Sequence, residues 1–374
     1  MSPSTSSRLR AAWFQVHKWL GLALAAAIVP IALSGSALVW HDWLDEILHP
    51  GRHAVTGAAA LPASVYAAAA QGVLTPGERI VSIRYPEGEG PILVSATQAP
   101  RPGAGRPVRT NVWLDPADAR VLDAAPSNAG PVRILHVLHG SLMVPGAGRQ
   151  IVGWVGVAML ISSLTGLWLW WPVGGGLRRG FRWKRQNATS ANLHHQMGFW
   201  IALPLALLSF TGAWISFPSF FGQFEASQPK AGGGPRAPAH PLEATSMTPD
   251  AALAAAGAHA TGPLVSIAWP TDRAPEWKIG FAREGGTAEV EVADSTGEAE
   301  PPAPPRPETL ARTMRRWHDG TGMGLAWQIV IFVGGIIPAA LAVTGIIMWL
   351  RSRGWRAKLK RRRDARASAP AKMG

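Results

Sequence analysis

The chain has 374 residues, 47% of them hydrophobic, a formal charge of +13 and no cysteine. A mean hydropathy of +0.09 is too apolar for an ordinary globule with a charged surface. Without cysteine there are no disulfides, no iron–sulfur ligation and no C-x-x-C-H attachment site.

The apolar residues gather in four blocks, at about 13–40, 151–171, 193–217 and 325–350. Each is about 20 residues or longer, the length needed to cross the hydrocarbon core of a bilayer. The basic residues flank these blocks. Arg8, Arg10 and Lys18 lie at the start of the first, and Arg178, Arg179, Arg182, Lys184 and Arg185 follow the second. Arg351, Arg353, Arg356, Lys358, Lys360 and the arginines at 361–363 follow the fourth. A four-span chain places these three segments on one side, so the positive-inside rule predicts both termini and the 173–191 loop in the cytoplasm. The charge then suits topology and lipid headgroups and argues against nucleic acid. The first block is longer than the apolar region of a signal peptide, and Trp40-His-Asp-Trp43 is no small-residue cleavage site, so it reads as a retained helix.

In chain order the prediction is a cytoplasmic terminus (1–12), span 1 (13–40), a periplasmic domain (41–133), and an outer helix with span 2 (134–172). A basic loop (173–191), span 3 (192–218), a second periplasmic domain (219–308), an outer helix with span 4 (309–351) and a basic tail (352–374) follow. Within the first outer segment the patterns predict a short helix over 62–71 and strands at 79–85, 91–96 and 111–114, with a Pro/Gly loop at 100–107. The second outer segment predicts a linker at 228–241, a helix over 250–259, strands at 264–269, 277–281 and 288–293, and a proline-rich linker at 300–307. The fold class expected is a mainly α membrane protein of four transmembrane helices, in two tandem repeats that each insert an α+β domain between their helices.

The repeat is visible in register. From His17 the steps to Gly21, Ser34 and Gly35 are 4, 17 and 18, and from His194 to Gly198, Thr211 and Gly212 they are the same. His139 precedes Thr165, Gly166 and Trp170 by 26, 27 and 31 residues, as His318 precedes Thr344, Gly345 and Trp349. Val81-Ser-Ile-Arg-Tyr-Pro86 and Val265-Ser-Ile-Ala-Trp-Pro270 repeat in the outer segments. The chain is therefore span, outer domain, span, twice over.

That register separates four histidines from the rest. His17 and His194 open spans that leave the cytoplasm, and His139 and His318 stand before spans that enter from outside, so one pair is expected near each face. Neutral imidazole is a good axial ligand for haem iron, and a bis-histidine set leaves no open position for oxygen. Two haems, one per pair, would form a transmembrane electron path. Gly21 and Gly198 share a helical face with their histidines, where a flat macrocycle could approach. The competing reading is an interfacial polar residue. It is assigned to His41, His49, His53, His240 and His259, and also to His136 and His195, which are second choices as ligands. The Thr-Gly and Ser-Gly pairs are read as helix–helix packing contacts, and Trp19, Trp40, Trp43, Trp168, Trp170, Trp171, Trp317 and Trp349 mostly as an aromatic belt. Histidines at opposite faces are expected about 30 Å apart, the core thickness.

These motifs resemble the PepSY-associated transmembrane-helix family of bacterial inner-membrane proteins. They are His17-Lys-Trp-Leu-Gly-Leu22, Leu138-His-Gly-Ser-Leu142, Gly148-Arg-Gln-Ile-Val-Gly153, Thr165-Gly-Leu-Trp-Leu-Trp-Trp-Pro172, Asn192-Leu-His-His-Gln-Met-Gly198, Trp317-His-Asp-Gly320 and Thr344-Gly345. The resemblance implies PepSY-like outer domains and a role in iron uptake. One branch of the family carries haem b and reduces ferric siderophores at the periplasmic side, and His17, His139, His194 and His318 match its ligand positions. The partners implied are a ferric siderophore or other Fe(III) chelate and an electron donor, a quinol or a cytoplasmic reductase. No G-x-G-x-x-G motif lies between a strand and a helix to bind a nucleotide donor. Two other classes compete: a non-enzymatic membrane protein whose outer domains bind a partner such as a protease, and a metal transporter. The spans hold no Asp or Glu to pair with a moving cation.

Overall fold

The computed structural model describes residues 5–99, 108–172, 177–183, 186–224, 239–284, 286–304 and 308–367. The loop expected at 100–107, most of the linker at 228–241, the end of the proline-rich linker and the basic pair Lys184-Arg185 lie outside them.

Helix α1 (Thr5–Leu38) leads into α2 (His41–Leu48) and α3 (Ala63–Gln71), then strands β1 (Glu78–Arg84), β2 (Ile92–Gln98), β3 (Arg109–Leu114) and β4 (Val121–Pro126). Next come α4 (Pro131–Ser141), α5 (Gly148–Trp170), α6 (Thr189–Ser216) and the single turn α7 (Pro218–Phe221). Helix α8 (Pro249–Ala256) and strands β5 (Leu264–Ala268), β6 (Glu276–Arg283), β7 (Gly286–Ala293) and β8 (Ala299–Glu300) follow, and α9 (Leu310–Asp319) and α10 (Gly324–Ala367) end the chain. The chain divides into a helical unit (1–40, 134–228 and 308–374) and an α+β unit (41–133 and 229–307).

Among the described residues, four helices of the first unit are long and apolar enough to cross a membrane: Ser7–Leu38, Gly148–Trp170, Thr189–Ser216 and Gly324–Arg361. The protein is a mainly α multi-pass membrane protein, as its hydropathy requires. Hydroxyls inside these helices satisfy themselves where water is absent: Ser34 donates to Pro30 O, Thr165 to Ile161 O (2.8 Å), Thr211 to Leu207 O (2.9 Å) and Thr344 to Ala340 O (2.9 Å). Helix α5 packs along α6, and α1 along α10. Close approach needs small residues: a Cβ on Gly335 would collide with Ala32 O and Ser36 Oγ of α1.

The α+β unit is one eight-stranded antiparallel sheet in the order β4-β3-β2-β1-β5-β6-β7-β8. Each outer segment supplies a four-stranded meander, and the two join at β1 and β5. At that seam Ile83 pairs with Ile267, Ser82 with Ala268 and Arg84 with Ser266. Ile83 and Ile267 are the equivalent residues of the repeated Val-Ser-Ile, so each half pairs with its own copy across a local twofold. Alternation sets the faces: Ala288, Val290 and Val292 of β7 are buried, whereas Lys278 on β6 pairs with Glu289 (3.2 Å) and Glu291 on the other face. The core combines Tyr66 of α3 and Ala252 and Ala256 of α8 with Ile83, Ile92, Val94, Val112 and Leu114 from the first half and Ile267, Trp277, Ile279, Val290 and Val292 from the second. The sequence patterns predict six of the eight strands; β4, with no buried residue, and the two-residue β8 are edge strands with little alternation to detect. Helix α2 was also not foreseen.

Candidate functional site

Helix register places the four selected histidines inside the helical unit as two pairs. The ring centres of His17 (α1) and His194 (α6) are 6.3 Å apart with planes at 82°. Those of His139 (α4) and His318 (α9) are 5.9 Å apart with planes at 40°. Each pair joins a residue to its own repeat equivalent, so within the helical unit the repeat relates the two members of each pair.

The Nδ1 of each ring meets a carbonyl, a hydroxyl or both on a neighbouring helix. The Nδ1 of His17 lies 3.1 Å from Ser162 O and 3.2 Å from Thr165 Oγ1. The Nδ1 of His318 lies 3.1 Å from both Leu208 O and Thr211 Oγ1. His194 Nδ1 meets Thr344 Oγ1 at 3.0 Å, and His139 Nδ1 meets Ile31 O at 2.8 Å. The carbonyl is thus the third residue before a Ser/Thr-Gly pair on the helix the ring packs against. Carbonyl oxygens only accept, and each threonine hydroxyl already donates to its own helix, so Nδ1 must carry the proton. That leaves the Nε2 lone pair of each ring for a ligand. A hydrogen bond from the second ring nitrogen is what orients a metal-binding imidazole and sets its tautomer.

The glycine of each pair makes room for the ring. A Cβ on Gly35 would meet His139 Cε1 at 2.6 Å, one on Gly212 would meet His318 Cε1 at 3.0 Å, and one on Gly166 would meet His17 Cε1 at 3.1 Å. Gly345 is looser, at 3.6 Å from His194 Cε1. This corrects the assignment of these Ser/Thr-Gly pairs to helix–helix packing: they are histidine seats. The identical steps of 17 and 18, and of 26 and 27, were the available signal, but the sequence does not say which helix faces which.

Beside the first pair lies a cavity of about 860 Å³, within the range of about 300–1,000 Å³ usual for small-molecule sites. His17, His194, Gly21, Gly198, Gly166 and Gly345 are among its lining residues. A Cβ on Gly21 or Gly198 would meet nothing within 4 Å, so these two glycines open on empty space. The ring spacings fit one central ion: metal–imidazole bonds of about 2.0 Å, with each ring centre about 1.1 Å beyond its nitrogen, put two rings on opposite sides of an ion about 6 Å apart. Among the described residues, no three His, Asp or Glu side chains gather as a site for a bare metal ion.

Of the second choices, His195 also lines the cavity beside the first pair. His195 stacks against Trp170, with ring centres 5.8 Å apart, and His136 is exposed. Trp170 itself is 2% exposed and stacks on Phe199 at 4.0 Å, which removes it from the aromatic belt. Trp19, Trp43, Trp168, Trp171 and Trp317 are exposed. In the α+β unit, His49 Nδ1 is 3.0 Å from Asp45 Oδ1, and His240 is buried with its Nδ1 3.3 Å from Arg79 Nη1. His240 is therefore a domain residue, not an interfacial one.

The separation of the two pairs is shorter than the membrane thickness suggests. On α1 the first pair is anchored at residue 17 and the second at Ile31, and on α6 the corresponding anchors are 194 and Leu208. Fourteen residues at 1.5 Å each give about 21 Å along the helices, not about 30 Å. The second pair is carried by α4 and α9, short helices that precede the spans and tuck their rings a full turn or more into the bundle.

The sequence profile of a family described as the PepSY-associated TM region matches residues 14–352. Comparison with curated proteins gives no match.

Proposed function

The chain belongs to the family with the PepSY-associated transmembrane region, and from that premise we propose that it is a di-haem b electron-transfer protein that reduces Fe(III) chelates, such as ferric siderophores, on the periplasmic side of the inner membrane. The observation that carries this reading is the pair of equivalent-histidine clusters, spaced for one central ion each and with every Nδ1 committed to a protein acceptor. His17 and His194 would hold the cytoplasmic haem, and His139 and His318 the periplasmic one. Bound there, each haem supplies a one-electron Fe(III)/Fe(II) couple with no open coordination position.

The chain's own residues set the conditions for that couple. The Ser/Thr-Gly seats fix the ring tautomers, and Gly21 and Gly198 leave space beside the first pair. Apolar helix walls keep water from the path. The periplasmic chelate accepts one electron per iron, and its hard oxygen donors hold Fe(II) less tightly than Fe(III), so reduction releases the metal. The electron comes from a separate donor, a quinol or a cytoplasmic reductase.

The test is spectroscopic. Protein purified from cells supplied with haem should show b-type absorption that changes on dithionite addition and reverts when a ferric siderophore is added. A colourless preparation, or a reduced spectrum that the chelate leaves unchanged, contradicts the proposal.

A further inference from the structure

The cavity beside His17 and His194 carries a charge pattern that the repeat does not. Its histidines and glycines obey the twofold, but its cations do not. Arg10 and Lys18 on α1 and Arg356 on α10 line it, whereas their register equivalents in the second half differ: for Arg10 it is Asn187, just before α6, and for Lys18 it is His195 on α6, which also lines the cavity. No acidic side chain is among the lining residues. Among the described residues this largely apolar cavity is flanked by three Arg or Lys side chains and no acid, and a ligand with an anionic edge would complement it.

Two of the cations are available for that edge. Arg10 stands two helical turns before His17, on the same face and about 10 Å nearer the terminal end of α1. Its guanidinium donates to Leu169 O and to Trp171 O (3.0 Å), at the C-terminal end of α5. Those carbonyls orient the fork but do not neutralise it, and a guanidinium has five donors. Arg356 is exposed at the terminal end of α10. Lys18, by contrast, is turned to Gln15 Oε1 and lies over the Trp19 ring.

We propose that Arg10 and Arg356 bind the two carboxylates of the macrocycle held between His17 and His194, so that its acidic edge faces the terminal ends of α1 and α10. This rests on the haem reading of that pair and adds its orientation. The two histidines alone do not fix which edge of the macrocycle faces the terminal ends of α1 and α10; the two arginines select the acidic edge.

The experiment titrates haem b, and separately its dimethyl ester, into apo full-length protein carrying His318→Ala, so that only the first pair reports. Each of Arg10→Gln and Arg356→Gln should weaken binding of the free acid about tenfold or more, because a charge-assisted hydrogen bond is worth about 1.5–3 kcal/mol and each 1.4 kcal/mol is tenfold. Binding of the ester should be unchanged by either substitution, and Lys360→Gln on the distal tail should change neither. Equal losses for acid and ester, or no loss for either, would overturn the assignment while leaving the haem reading intact. An unsubstituted background that binds neither form would overturn both.

Discussion

At the residue scale, the histidine seats make the sharpest demands. Gly35 has no room for a side chain against His139, so Gly35→Ala should displace that ring and lose the haem of the second pair while sparing the first. Gly21 is the opposite case. Its Cβ position is open, so Gly21→Leu should fold normally but fill the cavity and lose the haem of the first pair. Haem content per chain, with a difference spectrum, checks both; full occupancy in either variant would contradict the seat or the cavity as described. The ring angles also differ, at 82° and 40°. Near-perpendicular axial rings bring the iron d orbitals closer in energy, so low-temperature EPR of the oxidised protein should show two low-spin signals. The more anisotropic one should disappear in His17→Ala and not in His139→Ala.

At the scale of elements, the α+β unit depends on its seam and its buried turns. Ile83 is fully buried at the β1–β5 junction, and Ile83→Ala should cost about 2–5 kcal/mol, seen as an earlier loss of sheet signal on heating the intact protein. Asp115, fully buried after β3, accepts from the Thr56 and Ala117 backbone NH groups and the Thr56 hydroxyl and pairs with Arg120 at 3.3 Å. Burial pushes its carboxyl pKa up, but these donors and the Arg120 charge outweigh burial and hold it below the ordinary 3.8. A depressed folded-state value means that the stabilisation is present above about pH 3.8 and is lost as pH falls through the lower value. Asp115→Asn should therefore lower the thermal midpoint at neutral pH and flatten its decline on acidification. A parallel decline in both proteins would assign acid sensitivity to other groups, Glu78 among them.

Much of this was legible in the sequence because the chain states it twice. The four spans follow from hydropathy, and the four histidines follow from matching steps to small residues downstream. What one sequence does not carry is which surfaces meet. The repeated Val-Ser-Ile marked β1 and β5 as equivalent, but only three-dimensional pairing shows that Ile83 finds Ile267 and that the two outer segments share one sheet. Likewise the Thr-Gly pairs were visible as small residues in a helix, while their role required knowing that α1 faces α5 and α6 faces α10. Trp170 shows the same limit: beside Trp168 and Trp171 it looks interfacial, yet the helix turns it inward onto Phe199.

For the whole molecule, the twofold has a consequence for mutants. On the proposed reading His17 and His194 serve one ion, as do His139 and His318, so either member of a pair should be equivalent to its partner and the double variant no worse than the single. About 21 Å of axial separation between the pairs also means that losing one pair should leave the other able to bind haem but stop transfer across the membrane. The most direct test is a dithionite-minus-oxidised difference spectrum, with haem quantified per chain, on the wild type, the four single His→Ala variants and the two within-pair doubles. The expected result is two haems in the wild type, one in each single variant, and one in each within-pair double. No haem in the wild type, or two retained in any of these variants, would contradict bis-histidine ligation by these pairs.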